Sequence, residues 1–163
     1  MGFFDKMKKL VGKTGVKLSY PWIENPFPFG DPMIKATIEV EAESPITIVG
    51  TTGTFVAILT NEEGEEEEII LGEETEEESN CASVDRAGAS VPEFPHALGA
   101  GEKGSYGYFV GDMDLAASLS KWGVTNAATA QAKGVRFVFR GEVDVKETVG
   151  VFDPVLEQEI RVV

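Results

Sequence analysis

The stretch from Ile34 to Glu43 constrains the fold more than any other part of the chain. Ile34, Ala36, Ile38, Val40 and Ala42 alternate without a break with Lys35, Thr37, Glu39, Glu41 and Glu43. Successive side chains of a strand point to opposite faces of its sheet, so this period of two predicts a strand with one buried and one solvated face. A helix would scatter the same residues around its circumference. The signal recurs along the chain. Residues 46–49 and 54–59 read as two β segments separated by Gly50 and Gly53, and residues 66–71 read as another. Residues 105–110 form a further candidate. The chain is read as β again from Gln131, where Val135, Phe137 and Phe139 alternate with Arg136, Val138 and Arg140. Gly141 suits a bulge, Val143 and Val145 resume the pattern, and a last strand carries Leu156, Gln158, Ile160 and Val162.

Seven or eight strands without regular βαβ alternation predict an all-β fold, an antiparallel immunoglobulin-like sandwich. With 163 residues the chain suits one domain, assigned to residues 15–163. Residues 20–32 carry Pro21, Pro26, Pro28 and Pro32 among Trp22, Phe27 and Phe29, and read as an extended, packed connection. Asp112 or Asp114 is placed to cap a short helix with Leu115, Leu119 and Trp122 on one face, stopped by Gly123. Residues 61–79 read as an acidic hairpin with frayed strands, and residues 72–104 as a long irregular loop region.

Residues 1–14 are set apart. Phe3, Phe4, Met7, Leu10 and Val11 fall on one helical stripe, lysines fill the other face, and Gly12 is placed to end the helix. A helix of about three turns is marginal alone in water, so its apolar face must meet a membrane, a partner or another part of the protein.

Charge is segregated as well. The formal net charge is −14, yet residues 61–79 hold eleven glutamates and no Lys or Arg, which leaves the remainder at −3. Residues 1–17 carry five lysines against Asp5 alone, a local +4. Nucleic acid is not expected as a partner, because phosphate binding needs a broad basic face and the glutamate run repels a polyanion. The candidate contact residues for a partner or an anionic membrane are therefore Phe3, Phe4, Lys6, Met7, Lys8, Lys9, Leu10 and Val11.

No catalytic constellation emerges. His96 is the single histidine and Cys81 the single cysteine, so a dyad would have to be built on that pair. One cysteine also forbids an internal disulfide framework, which fits a cytosolic location, at a membrane surface where the helix docks. Gly99-Ala-Gly101-Glu-Lys-Gly104 has the spacing of a dinucleotide fingerprint but precedes a strand instead of following one, and reads as a turn. Asp112 and Asp114 flank a loop where a sandwich domain could hold Ca²⁺, without EF-hand spacing, and no metal or other cofactor is assigned. Trp22, Phe27, Phe29 and Trp122 are read as core before ligand groove.

Several segments resemble the arrestin-like β-sandwiches, in particular the bacterial sporulation-control family. Pro28-Phe-Gly30-Asp31 enters the alternating strand and Pro45-Ile-Thr-Ile-Val49 follows it; Pro92-Glu-Phe94-Pro95 is similar to a mid-domain Phe-Pro segment. Gly141-Glu-Val-Asp144-Val-Lys146 with Phe152-Asp-Pro154 is similar to the end of the first lobe, and Phe3-Phe-Asp-Lys6 to the family's N-terminus. The resemblance implies a single arrestin-like lobe and a non-catalytic scaffold or adaptor that binds proteins, at times at membranes. Two other expectations stay open: a self-assembling structural protein, with homo-oligomer contacts through the helix and an edge strand, and a Ca²⁺-dependent binding module or hydrolase built on the long loops.

Overall fold

The alternating segment is a central strand. In the computed structural model, which describes residues 15–77, 85–86, 89–90, 94–146 and 153–163, Ile34, Ala36, Ile38, Val40 and Ala42 are all fully buried. The expected helix over 1–14, Cys81, Pro92 and Phe152 lie outside the described residues. Strands run in chain order as β1 Val16–Ile23, β2 Ile34–Ala42, β3 Ile46–Thr60, β4 Glu66–Glu77, β5 Asp85–Arg86, β6 Ala89–Ser90, β7 His96–Leu98, β8 Lys103–Val110, β9 Arg136–Val145 and β10 Val155–Ile160. Two short helices, α1 Leu115–Ser118 and α2 Ala127–Ala132, and a 3-10 turn, Ser120–Trp122, fall between β8 and β9.

Eight of these strands form an antiparallel β-sandwich. One sheet has the order β1-β2-β8, the other β10-β9-β3-β4 with β7 also pairing β3, and β5 and β6 form a separate ribbon. The core lies between the sheets. Phe55 and Phe139 are fully buried there, and burying a side chain of that size contributes roughly 1.5–3 kcal/mol.

Two tyrosines tie the layers together. Tyr20 of β1 donates its hydroxyl to the Leu156 carbonyl at 2.6 Å, and Tyr108 of β8 donates to the Glu142 carbonyl at 3.1 Å. Their rings meet Phe139 edge-on, at 5.8 and 5.5 Å between centroids. Burial drives both phenols well above their ordinary pKa. Room for them comes from Gly53 and Gly141, which face each other across β3 and β9. A Cβ on Gly53 would lie 2.8 Å from Tyr108 Cδ1, and one on Gly141 would lie 2.6 Å from Tyr20 Oη.

Five expectations are corrected. Residues 46–49 and 54–59 belong to one 15-residue strand, β3, because Gly50 and Gly53 stay extended where neighbouring groups approach closely. Irregular register falls between Ile48 and Gly50 and between Phe55 and Val56, while Gly141 pairs Gly53 without a bulge. Within the stretch 61–79, the described residues 61–77 are not frayed: Asn61 closes the turn by accepting from the Glu63 and Glu65 amides, and β4 stays paired with β3 to Glu77, so 72–77 leaves the loop region. Tyr20 to Ile23 is strand and not connection, since β1 absorbs Pro21 in the irregular stretch between Ser19 and Trp22. Finally, 127–132 is helix: Asn126 accepts from the Thr129 amide, and the Thr129 hydroxyl closes a capping box.

The Asp114 helix forms as expected. Its carboxylate accepts from the Ala117 amide at 3.0 Å, and Gly123 follows the 3-10 turn with φ 70°.

Candidate functional site

Among the described residues, His96, Asp31 and Asp114 each hold a structural hydrogen bond. His96 Nδ1 and Tyr106 Oη share a hydrogen bond of 2.7 Å, and Phe94 stacks on the same tyrosine ring at 5.6 Å. Burial holds the Tyr106 phenol above its usual range, so it stays protonated and anchors β7 to β8. The Gly99–Gly104 stretch is the turn between those strands, with the Gly101 amide on the Ala42 carbonyl at 2.7 Å. Asp114 is occupied as a helix cap, Asp31 accepts from the Met33 amide, and Asp112 sits at φ 57° between β8 and α1. Among the described residues, no three His, Cys, Asp or Glu side chains are grouped to hold a metal ion.

The four aromatics do not converge. Phe27 is fully buried against Phe55, and the Trp122 indole donates to Glu67 at 3.1 Å. Trp22 stands 46% exposed on β1, while Phe29 is half-buried where residues 27–29 bond to 161–163. A groove of about 860 Å³ lies between α2 and the end of β10, rimmed by Asn25, Gln131, Arg136, Glu159 and Arg161. It was not legible in the sequence, because α2, one wall of it, has no apolar stripe.

The outer face of the five-stranded sheet is the most distinctive surface. Its register places Glu159, Val138, Val56 and Ile70 in one row across β10, β9, β3 and β4, and Arg136, Ile58 and Glu68 in the next. Val56, Ile58 and Val138 form an apolar cluster of their own, separate from the main core. They are 0%, 1% and 5% exposed, while Ile70 at the edge is 59% exposed. The glutamate run is knitted into this face. Arg136 pairs with Glu66 at 3.7 Å and Arg140 with Glu68 at 3.4 Å, while Glu67 points to the opposite side of β4, where Lys121 and the Trp122 indole hold its carboxyl below its ordinary range. Thr54 donates to Glu73 at 3.2 Å.

Further along the same face Glu142 and Asp144 are held above the usual carboxylate range, by burial first and then by the charge of Asp153. Asp144 also shares a hydrogen bond with Asp153, which itself accepts from the Val145 amide at 3.2 Å. The candidate residues Phe3, Phe4, Lys6, Met7, Lys8, Lys9, Leu10 and Val11 lie outside the described residues. No helix among the described residues is long and apolar enough to cross a membrane.

Two packed antiparallel sheets with this strand order define an arrestin-like β-sandwich. Among solved structures the chain is similar to Spo0M, the sporulation control protein from Bacillus subtilis, with a TM-score of 0.56 and 10% identity over 91% of this chain and 49% of that one. It thus spans about half the length of Spo0M. A protein from Archaeoglobus fulgidus matches over 88% of this chain and 90% of its own, at 13% identity and a TM-score of 0.43. No protein-family model and no curated protein matches the chain.

Proposed function

We propose that the protein is a non-catalytic scaffold or adaptor: its sandwich binds a partner protein, while residues 3–11 attach it to an anionic membrane surface. The carrying observation is how basic charge is distributed. On the described body, Lys17, Lys103, Lys121, Arg136 and Arg140 are each matched to a glutamate. Lys6, Lys8, Lys9 and Lys13 instead crowd a short segment with an apolar stripe. Each lysine close to an anionic leaflet contributes about 1 kcal/mol, and the stripe adds buried area. The engagement of His96 and the tyrosines in ties between strands supports the non-catalytic reading. A cytosolic location, peripheral to the membrane, follows from the same proposal.

Co-sedimentation with vesicles of phosphatidylserine and phosphatidylcholine tests it. The full chain is expected to pellet with the anionic vesicles at low salt, to be released at high salt, and to ignore the neutral ones. The full-chain variant Lys6→Gln/Lys8→Gln/Lys9→Gln/Lys13→Gln should stay in the supernatant. Equal pelleting of the two, or none by either, sinks the membrane role.

A further inference from the structure

We infer that the groove between α2 and the end of β10 takes an extended peptide of a partner protein, one that sets an apolar side chain beside Val162 and an acidic one beside Arg161. The inference rests on the partner-binding reading above, to which it gives a place and a sequence class.

β10 loses a neighbour at this point. Its pairing with β9 ends at Phe137 and Ile160, and the same register carried two residues further would set Val135 opposite Val162. β9 starts only at Arg136, however, and the chain before it turns away into α2 at Gly134, with φ 74°. The Val135 amide, which would face Val162 had the ladder continued, donates to the Ala130 carbonyl at 3.0 Å. On its other side the strand line is kept. The Arg161 carbonyl accepts from the Phe27 amide at 2.8 Å, and Val163 donates to the Phe27 carbonyl and accepts from the Phe29 amide, both at 2.9 Å. Main-chain groups alternate sides along an extended chain, so those of Val162 point the other way, toward the groove that this residue lines. Among the described residues neither has a hydrogen-bond partner. A donor and an acceptor open at one residue are what a short added strand takes up.

The groove around them is built before anything enters it. Val135, Phe137 and Ile160 are buried in the main core and form its floor, and α2 contributes Ala127 and Ala128, which wall the space without filling it. The volume of about 860 Å³ lies within the roughly 300–1,000 Å³ of pockets that enclose ligands. An apolar residue paired with Val162 would lie over that floor, and the residue next to it, pointing to the opposite side, would meet Arg161. Arg161 is exposed and makes no ion pair among the described residues, whereas Arg136 across the groove is matched to Glu66 at 3.7 Å. Glu159 lies opposite Val138, so β9 already holds the place beside it. The rim thus keeps one guanidinium open next to Val162, and its planar fork suits a carboxylate.

Selection of random heptapeptides displayed on phage against the full chain tests this assignment, with amide hydrogen exchange as a second readout. Enriched peptides are expected to join an apolar residue to an acidic neighbour, and a synthetic copy of one should slow exchange of the Val162 amide severalfold. Arg161→Gln should weaken that peptide about tenfold, the loss of one charge-assisted pair. Ala128→Trp, at an exposed position of α2, should fill the groove and abolish binding while the rest of the amide spectrum stays as in the parent. Peptides that bind Ala128→Trp as well as the parent, or that leave Val162 exchange unchanged, overturn the groove and leave the partner-binding reading standing. Protection of Val162 without peptide that fades on dilution would place a second copy there and overturn it too. Failure to enrich any peptide overturns the groove and, with it, the reading of the sandwich as a peptide-binding adaptor.

Discussion

The two faces of the five-stranded sheet are held by different physics. The inner face is fixed by shape: Tyr20 and Tyr108 fill the space left by Gly53 and Gly141, and Phe139 packs edge-on against both rings. The outer face is fixed by charge, with Arg136 and Arg140 reaching Glu66 and Glu68 of β4 around a small apolar row. A packed interior tolerates almost no added volume, whereas exposed ion pairs contribute little each and weaken in salt. The difference teaches that a strongly acidic strand is accommodated here through backbone pairing with β3, with neighbouring cations offsetting the repulsion among its glutamates.

Three changes probe that contrast. Gly141→Val places a side chain where Tyr20 Oη already lies 2.6 Å from a Cβ, and should cost about 3 kcal/mol in a denaturant melt, at the upper end for overpacking. A loss below about 1 kcal/mol would mean that the inner face yields as readily as the outer. The double variant Glu66→Gln/Glu68→Gln removes both ion pairs across β3. Each pair should contribute about 0.5 kcal/mol or less at low salt, and the difference from the parent should vanish in 1 M salt. A salt-independent loss would show that these carboxylates act by packing.

The smallest effect concerns Asp144. Burial, and then the charge of Asp153, raise its folded-state pKa. A raised carboxyl favours the fold below its unfolded value, about 3.9, and that contribution is lost as pH rises through the folded value. Asp144→Asn should therefore gain melting temperature over the parent as pH goes from about 4 to 7. A constant difference across that range would remove Asp144 as the titrating group.

Much of the fold was legible because its central strand alternates cleanly; β2 needed only side-chain polarity to be placed. β4 was misjudged as frayed because its cations come from β9 and from the 3-10 turn, more than fifty positions away in sequence. Pro21 disguised β1, whose other residues pair normally with β2. α2 escaped because its stabilising features are a cap and a single buried side chain, Ala130, with no apolar period. The outer apolar row was hidden inside Phe55-Val-Ala-Ile-Leu59, where every residue is apolar and the two faces cannot be told apart by pattern. Of the candidate site, the basic stripe of residues 3–13 was legible in the sequence and lies outside the described residues, while the outer apolar row emerged only from the register of four strands.

The length of β3 also shapes how the chain reaches this state. Its hairpin with β4 closes through a turn of a few residues, while its other edge waits for β9, more than seventy-five positions downstream. Local hairpins form in microseconds and distant pairings lag behind, so β3 passes through a stage with Phe55, Val56, Ala57 and Ile58 bare along one edge. Such a half-built ribbon is a template for aggregation. The glutamates of β4 travel with it from the start, and like charge keeps one unfinished ribbon away from the next on the ribosome and after it.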